Sequence, residues 1–220
     1  MKLYSGPLSM FGAKAEIALG EKGIAFELVM VPFDMQALYV PKHPEVERIN
    51  PKRQVPVLVE GDLEIFDSTQ IFEYLESTRP EPPLWPAEPR ARARARLLEH
   101  KADEVYFPHI IRLMGDRRAA GAHDGAARFY DEMERTLAAS GGEAAWLAGS
   151  FGYADIAFYM AQLFGDRMGA PLTDAHPRLQ DWRERMGGRP AVRRVAGAMG
   201  RYLLAQGRPL PDFLARLAQG

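Results

Sequence analysis

The chain has no cysteine in 220 residues. That absence excludes disulfides, thiolate metal sites and a cysteine nucleophile. It also argues against thiol-transfer chemistry that passes through a mixed disulfide with the protein. Charge of either sign is not in excess: 28 Lys and Arg face 29 Asp and Glu, for a net charge of -1. Such a balance supplies no general field for nucleic acid or an anionic membrane. No apolar run reaches the roughly 18 residues that a membrane span needs. Met1-Lys2-Leu3-Tyr4 enters a strand-like pattern at once, without the apolar core of a signal peptide, so a cytoplasmic location is expected. His43, His100, His123 and His176 are scattered without metal-ligand spacing. Surface or capping roles are expected for them, and no metal site.

What is present is the composition of a globular protein, 47% hydrophobic and 26% charged, long enough for one large domain or two small ones. Arg90, Arg92, Arg94 and Arg96 invite a nucleic-acid reading. Helix geometry weakens it, because residues two apart project to nearly opposite sides of the axis. A solvated or subunit-facing surface is the expectation.

The first third alternates element types. Lys2 to Ser5 reads as a strand, Gly6-Pro7-Leu8 as a turn, and Ser9 or a neighbour as the cap of a helix to about Glu21. Phe26 to Val31 reads as a second strand. Pro32 to Asn50 is polar and irregular, with room for a short helix. Val55-Pro56-Val57-Leu58, Gly61-Asp62 and Leu63-Glu64-Ile65 read as strand, tight turn and strand. Pro56 cannot donate to a ladder, belongs at an edge or turn, and is a candidate cis residue. Asp67-Ser68 then caps a helix from Thr69 to Ser77. A strand-helix-strand unit favours a parallel pair.

Composition shifts at Arg79-Pro80-Glu81-Pro82-Pro83-Leu84-Trp85-Pro86. This stiff segment marks a domain boundary, giving domains 1–79 and 88–220 with a linker at 80–87. The second domain reads as helices near 88–118, 124–139, 153–168, 177–186 and 190–204, and a terminal helix from Leu210 to Ala218. The fold class is therefore α/β plus all-α.

Two features suit a small peptide-like ligand. The Val55-Pro56 segment offers a backbone edge, and the Asp67-Ser68 helix start can hold an anion. The plain alternative for Asp67, Ser68 and Ser9 is helix capping alone. On the long helix of the second domain, Tyr106, His109, Ile110 and Leu113 share one face, and Pro108 is expected to kink it. That face is either a core stripe or part of a substrate site.

These residues carry a family likeness. Ser9 through Leu19, Glu21-Lys22-Gly23, Asn50-Pro51, Val55-Pro56-Val57-Leu58, Asp67-Ser68, Ile71, Tyr74-Leu75 and Ala154-Asp155-Ile156 stand in an order that resembles the cytosolic glutathione S-transferases over nearly the whole chain. The resemblance implies a thioredoxin-like N-terminal domain, an all-helical C-terminal domain and a homodimer. It implies glutathione as co-substrate, a small apolar electrophile, and no metal, nucleic acid or membrane partner. Serine-type members carry the hydroxyl that activates the thiol at the head of the first helix, as Ser9 stands before Ile17-Ala18-Leu19 here. Ser5 remains an alternative, and Tyr4 lies early in its strand for a tyrosine-type role. The likeness further implies that Asp67 and Ser68 hold the γ-glutamyl end, and that Val55 pairs its backbone with the cysteinyl part beside a cis Pro56. Gln54, Arg53 and Lys52 are candidates for the glycyl carboxylate. The electrophile is expected against Leu8, Phe11 and Phe33 of the first domain and Tyr106, His109, Ile110 and Leu113 of the second. Asp155 matches a buried structural aspartate, but Gly152 stands where the family usually has the Ser or Thr of a capping box.

Overall fold

The computed structural model describes residues 1–142 and 145–220. They divide into two compact units, residues 1–82 with 190–220, and residues 83–189.

The first unit is built on a four-stranded sheet of β1 (Lys2–Ser5), β2 (Glu27–Met30), β3 (Val57–Glu60) and β4 (Leu63–Phe66), in the order β2-β1-β3-β4. β1 pairs parallel with β2 and antiparallel with β3, and β3 pairs antiparallel with β4. Leu3, Tyr4, Val57 and Leu58 are buried in the central strands, as runs of apolar residues in paired strands should be. The helices are α1 (Met10–Glu21), α2 (Pro44–Ile49) and α3 (Ser68–Thr78). Strand and helix order is the thioredoxin-like one that the sequence implies.

α1 runs from the Ser9 cap to Gly23, whose φ of +65° turns the chain out of the helix. Beside this exit, the buried Lys22 ammonium meets Glu76 at 2.7 Å, the Arg79 carbonyl at 2.8 Å and the Pro82 carbonyl at 2.9 Å. Its three donors are spent tying the end of α1 to the end of α3.

The unit also contains α9 (Pro190–Ala205) and α10 (Asp212–Gln219), which corrects the expected single helical domain of 88–220. Close approach is the reason. A Cβ at Gly20 of α1 would lie 2.9 Å from the Ala191 methyl and 2.5 Å from the Arg194 guanidinium of α9.

The second unit holds α4 (Pro89–Lys101), a π-helical turn (Ala102–Tyr106), α5 (Phe107–Gly115), α6 (Ala122–Ala139), α7 (Tyr153–Arg167) and α8 (Pro177–Gly188). Glu88 caps α4 by accepting from Arg90 N and Ala91 N. The helix expected over 88–118 is thus three segments. Pro108 lacks the N–H its position would donate, and the wider turn lies just before it. Arg90, Arg94 and Arg96 are exposed on α4. Phe129, Phe158 and Trp182 form the aromatic core with Tyr106 and Tyr130. Of the surface or capping roles expected for the histidines, His176 stands at the cap position of α8; it is buried, 4% exposed, with Asp131 at 3.2 Å.

Candidate functional site

Strand register gathers the predicted glutathione-site residues of the first unit at one end of the sheet. Tyr4 pairs with Val57, and Val57 with Phe66. The next step along each strand brings Ser5, Pro56 and Asp67 to the same edge. Ser9 follows β1 by one short turn, held by Ser9 N donating to the Gly6 carbonyl at 3.0 Å.

Ser9 is 8% exposed and caps α1, its Oγ accepting from Gly12 N at 2.9 Å. That bond uses a lone pair. The hydroxyl proton has no acceptor among the described residues. Ser5 differs: it is fully buried, and its hydroxyl donates to Glu16 Oε1 at 2.5 Å. Desolvation raises the Glu16 carboxyl to about 7 against the lowering effects of Ser5 and Arg194. Above this turn, Tyr39 accepts from Leu8 N at 3.3 Å and covers Gly6, where a Cβ would lie 2.4 Å from the ring. Phe33 packs edge-on against Tyr39 at 4.6 Å, and Phe11 and Leu8 are half-buried.

The Val55–Pro56 bond is cis, as the strand-opening proline predicts. Pro56 is buried, Val55 half-buried, and Lys52, Arg53 and Gln54 are exposed. Asn50 shapes this segment, its Oδ1 accepting from Lys52 N at 2.9 Å and its Nδ2 donating to the Gln54 carbonyl at 2.6 Å. Sequence reasoning assigned Asn50 no such role. The signal was the Asn50-Pro51 pair, since asparagine side chains commonly bond the backbone two residues on. Asp67 caps α3, accepting from Thr69 N at 3.0 Å and from Gln70 N at 3.4 Å, with φ of +77°. Ser68 is buried at the first helical position.

In the second unit the predicted helix face turns inward. Tyr106, Ile110 and Leu113 are fully buried, which corrects their placement against a substrate. The Tyr106 and Tyr130 hydroxyls are 2.5 Å apart, and Tyr130 donates to the Ala170 carbonyl at 2.6 Å. Gly165 makes room for this chain, because a Cβ there would lie 1.9 Å from the Tyr106 oxygen. His109 is half-buried with its ring against Gly125 of α6, and burial with nearby Arg112 and Arg128 lowers its pKa. The apolar side chains that this stretch leaves exposed are Val105, Ile111 and Met114. A helical period identifies a face but not what covers it.

Asp155 heads α7 and is fully buried. Its carboxylate accepts from Leu147 N at 3.1 Å, Gly152 N at 3.1 Å and Trp182 Nε1 at 2.8 Å. Gly152 stands at the cap because a Cβ there would lie 2.2 Å from the Leu84 carbonyl oxygen.

The first unit is a thioredoxin-like sheet with a serine-capped first helix, a strand-opening cis proline and an acidic-Ser helix start, and the second unit is helical. Models of the glutathione S-transferase N-terminal and C-terminal domains match residues 3–83 and 104–190. The chain belongs to the glutathione S-transferase family. A glutathione S-transferase structure from Rhodospirillum rubrum F11 is similar with a TM-score of 0.78 and 25% identity, over 98% of each chain. A stringent starvation protein A homolog of Coxiella burnetii is 38% identical over 116 residues, 52% of this chain and 51% of its own. Glutathione S-transferase 1 of Dianthus caryophyllus is 39% identical over 112 residues, 50% and 47% respectively. The chain thus spans about half the length of these curated relatives. No helix among the described residues is long and apolar enough to cross a membrane.

Proposed function

We propose that the chain is a glutathione transferase in which the Ser9 hydroxyl donates to the glutathione sulfur and holds it as the thiolate. The observation that carries this is the Ser9 hydrogen bonding: its Oγ accepts from Gly12 N, so its proton is oriented away from the helix backbone. The energies fit. A free thiol has a pKa near 8.5, and lowering it by about two units asks for about 2.7 kcal/mol. A hydrogen bond to a charged acceptor supplies roughly 1.5–3 kcal/mol. The α1 N-terminus adds up to about 1 kcal/mol.

Val55 pairs its backbone with the cysteinyl part, Asp67 meets the γ-glutamyl ammonium and Ser68 its carboxylate. The glycyl carboxylate falls to Lys52, Arg53 or Gln54. Leu8, Phe11 and Phe33 are the apolar residues of the sheet unit proposed to meet the electrophile. Conjugation, ether cleavage, dehalogenation and isomerisation all begin from the same thiolate. A homodimer, a cytoplasmic location and a detoxifying role belong to the same proposal, supported by family membership. Size-exclusion chromatography with light scattering tests the dimer.

Calorimetric titration with reduced glutathione, for wild type and Ser9→Ala, tests the reading. Both proteins should bind, thiolate absorbance should appear in the wild type alone, and turnover should fall roughly 10- to 100-fold in the variant, the loss of one charge-assisted bond. A wild type that binds no glutathione removes the transferase reading.

The similarity to stringent starvation protein A homologs favours a second reading, a binding protein that keeps this fold without turnover. In that case Ser9→Ala leaves partner binding unchanged and no electrophile is consumed by the wild type.

A further inference from the structure

The thiol chemistry proposed for Ser9 leaves unused one buried ionisable group close to it. Glu16 lies two turns further along α1 and is 5% exposed, with the Ser5 hydroxyl donated to its carboxylate at 2.5 Å. The Ser5 and Ser9 hydroxyls converge on Gly12. A Cβ built at Gly12 would lie 2.3 Å from Ser5 Oγ and 3.1 Å from Ser9 Oγ. The two oxygens are therefore no further apart than those two distances laid end to end. Any side chain at position 12 would push between them. The glycine is helical, with no positive φ to require it, so space is what it provides.

We infer that Glu16 is a positioning residue for the thiol reaction, acting through the Ser5 hydroxyl, across Gly12, on the hydroxyl of Ser9. The inference rests on the reading of Ser9 as the donor to the glutathione sulfur.

The physical argument is a reversal of hydrogen-bond direction. When Glu16 is ionised it can only accept, and it holds the Ser5 proton. When Glu16 is neutral its own O–H can donate to Ser5, and the Ser5 proton is released from the carboxylate. Ser5 and Ser9 are not hydrogen-bonded to each other, so the reversal acts through space: the Ser5 O–H dipole turns its positive end away from Glu16, which favours a thiolate held at the neighbouring Ser9. Neutral Glu16 also removes a negative charge from the neighbourhood of the developing thiolate. Both effects have the same sign. Burial pushes the Glu16 carboxyl up to about 7, so the reversal falls at neutral pH.

The groups facing Glu16 come from several elements. β1 contributes Ser5 and α9 contributes Arg194, whose positive charge favours the ionised form. The segment between β2 and α2 contributes Tyr39, whose phenol is pushed well up by burial and by Tyr202 and Glu16. Two other charged groups of α1 and α3 are engaged elsewhere: Glu76 is held on Lys22 at the other end of α1, and the Lys14 ammonium lies over the Phe11 and Phe72 rings.

The test uses the full chain. In the wild type, the Gly12 amide resonance should titrate with a midpoint near the Glu16 value of about 7, and the titration should vanish in both Glu16→Gln and Ser5→Ala. Ultraviolet titration of bound glutathione is the second arm. Glutamine mimics the neutral acid, so Glu16→Gln should hold roughly threefold more thiolate than wild type on the alkaline side of neutrality and an equal amount on the acid side. A Gly12 amide that does not titrate, or that titrates alike in Glu16→Gln or Ser5→Ala, overturns the inference. So does a wild-type thiolate titration that Glu16→Gln leaves unchanged. A wild type that forms no thiolate while its Gly12 amide still follows Glu16 overturns the transferase reading instead.

Discussion

The heads of α1 and α7 use the same parts to different ends. Each has a glycine under close approach, and each helix carries a buried carboxylate raised by desolvation, to about 6 at Asp155 in the first turn of α7 and to about 7 at Glu16, two turns into α1. At α7 the carboxylate is saturated, with two backbone N–H groups and the Trp182 indole donating to it. The glycine there makes way for a backbone carbonyl, which has nowhere to go. At α1 the carboxylate takes one serine hydroxyl, and the glycine makes way for two hydroxyls, which can rotate. A saturated buried acid fixes structure. One that depends on a rotatable donor is free to pass a change of charge to its neighbours.

Four measurements would break or sharpen that contrast. The largest effect should come from Asp155→Ala, which leaves three buried donors unpaired. Loss of about 3–5 kcal/mol in urea unfolding is expected, and a loss under about 1 kcal/mol would show that water replaces the carboxylate.

The second is the pH dependence of stability. Burial holds both carboxyls above their ordinary values of 4.5 and 3.8. The folded state therefore holds its protons more tightly, and stability falls as pH rises through about 6 for Asp155 and about 7 for Glu16. Each contributes a loss on the order of 3 kcal/mol by the alkaline side. Glu16→Gln should remove the upper part of this fall and leave the lower part. Parallel wild-type and variant curves would show that Glu16 does not ionise in this window.

The two glycines give the third. Gly152→Ala meets the Leu84 carbonyl and should cost about 1–3 kcal/mol of stability. Gly12→Ala meets movable hydroxyls, so it should cost less stability and more thiolate. Equal losses of both quantities in both variants would erase the distinction.

The smallest effect should come from Tyr39→Phe, which removes the acceptor for Leu8 N. About 0.5–1.5 kcal/mol of stability is expected to go. A raised KM for glutathione with kcat kept would place Tyr39 in holding the turn, and an unchanged KM would confine it to packing.

Much of the fold was legible because it is written locally. Ser9, Gly23, Gly61-Asp62 and Asp67 are caps and turns whose side-chain chemistry acts within a few residues. The cis Pro56 follows from a proline opening an apolar strand. The limits were non-local. Tyr106, Ile110 and Leu113 share a face with His109, but the aromatic rings of α6 and α7 decide that this face is core. Gly152 looked like a weakened capping box, and the reason for it lies in Leu84, far away in sequence. α9 read simply as one more helix of the second domain until its contact with Gly20 put it with the first.

The sequence by itself determined the element order, the caps and the residues that carry the family likeness. These depend on backbone geometry and near neighbours, which a linear pattern records. Only the tertiary structure decided which serine keeps its proton free, that Glu16 is buried beneath the other, and that Gly12 lets the two hydroxyls converge. Those outcomes depend on burial and on distances between strands and helices. Desolvation and close packing act through space, where residue spacing along the chain carries no record of them.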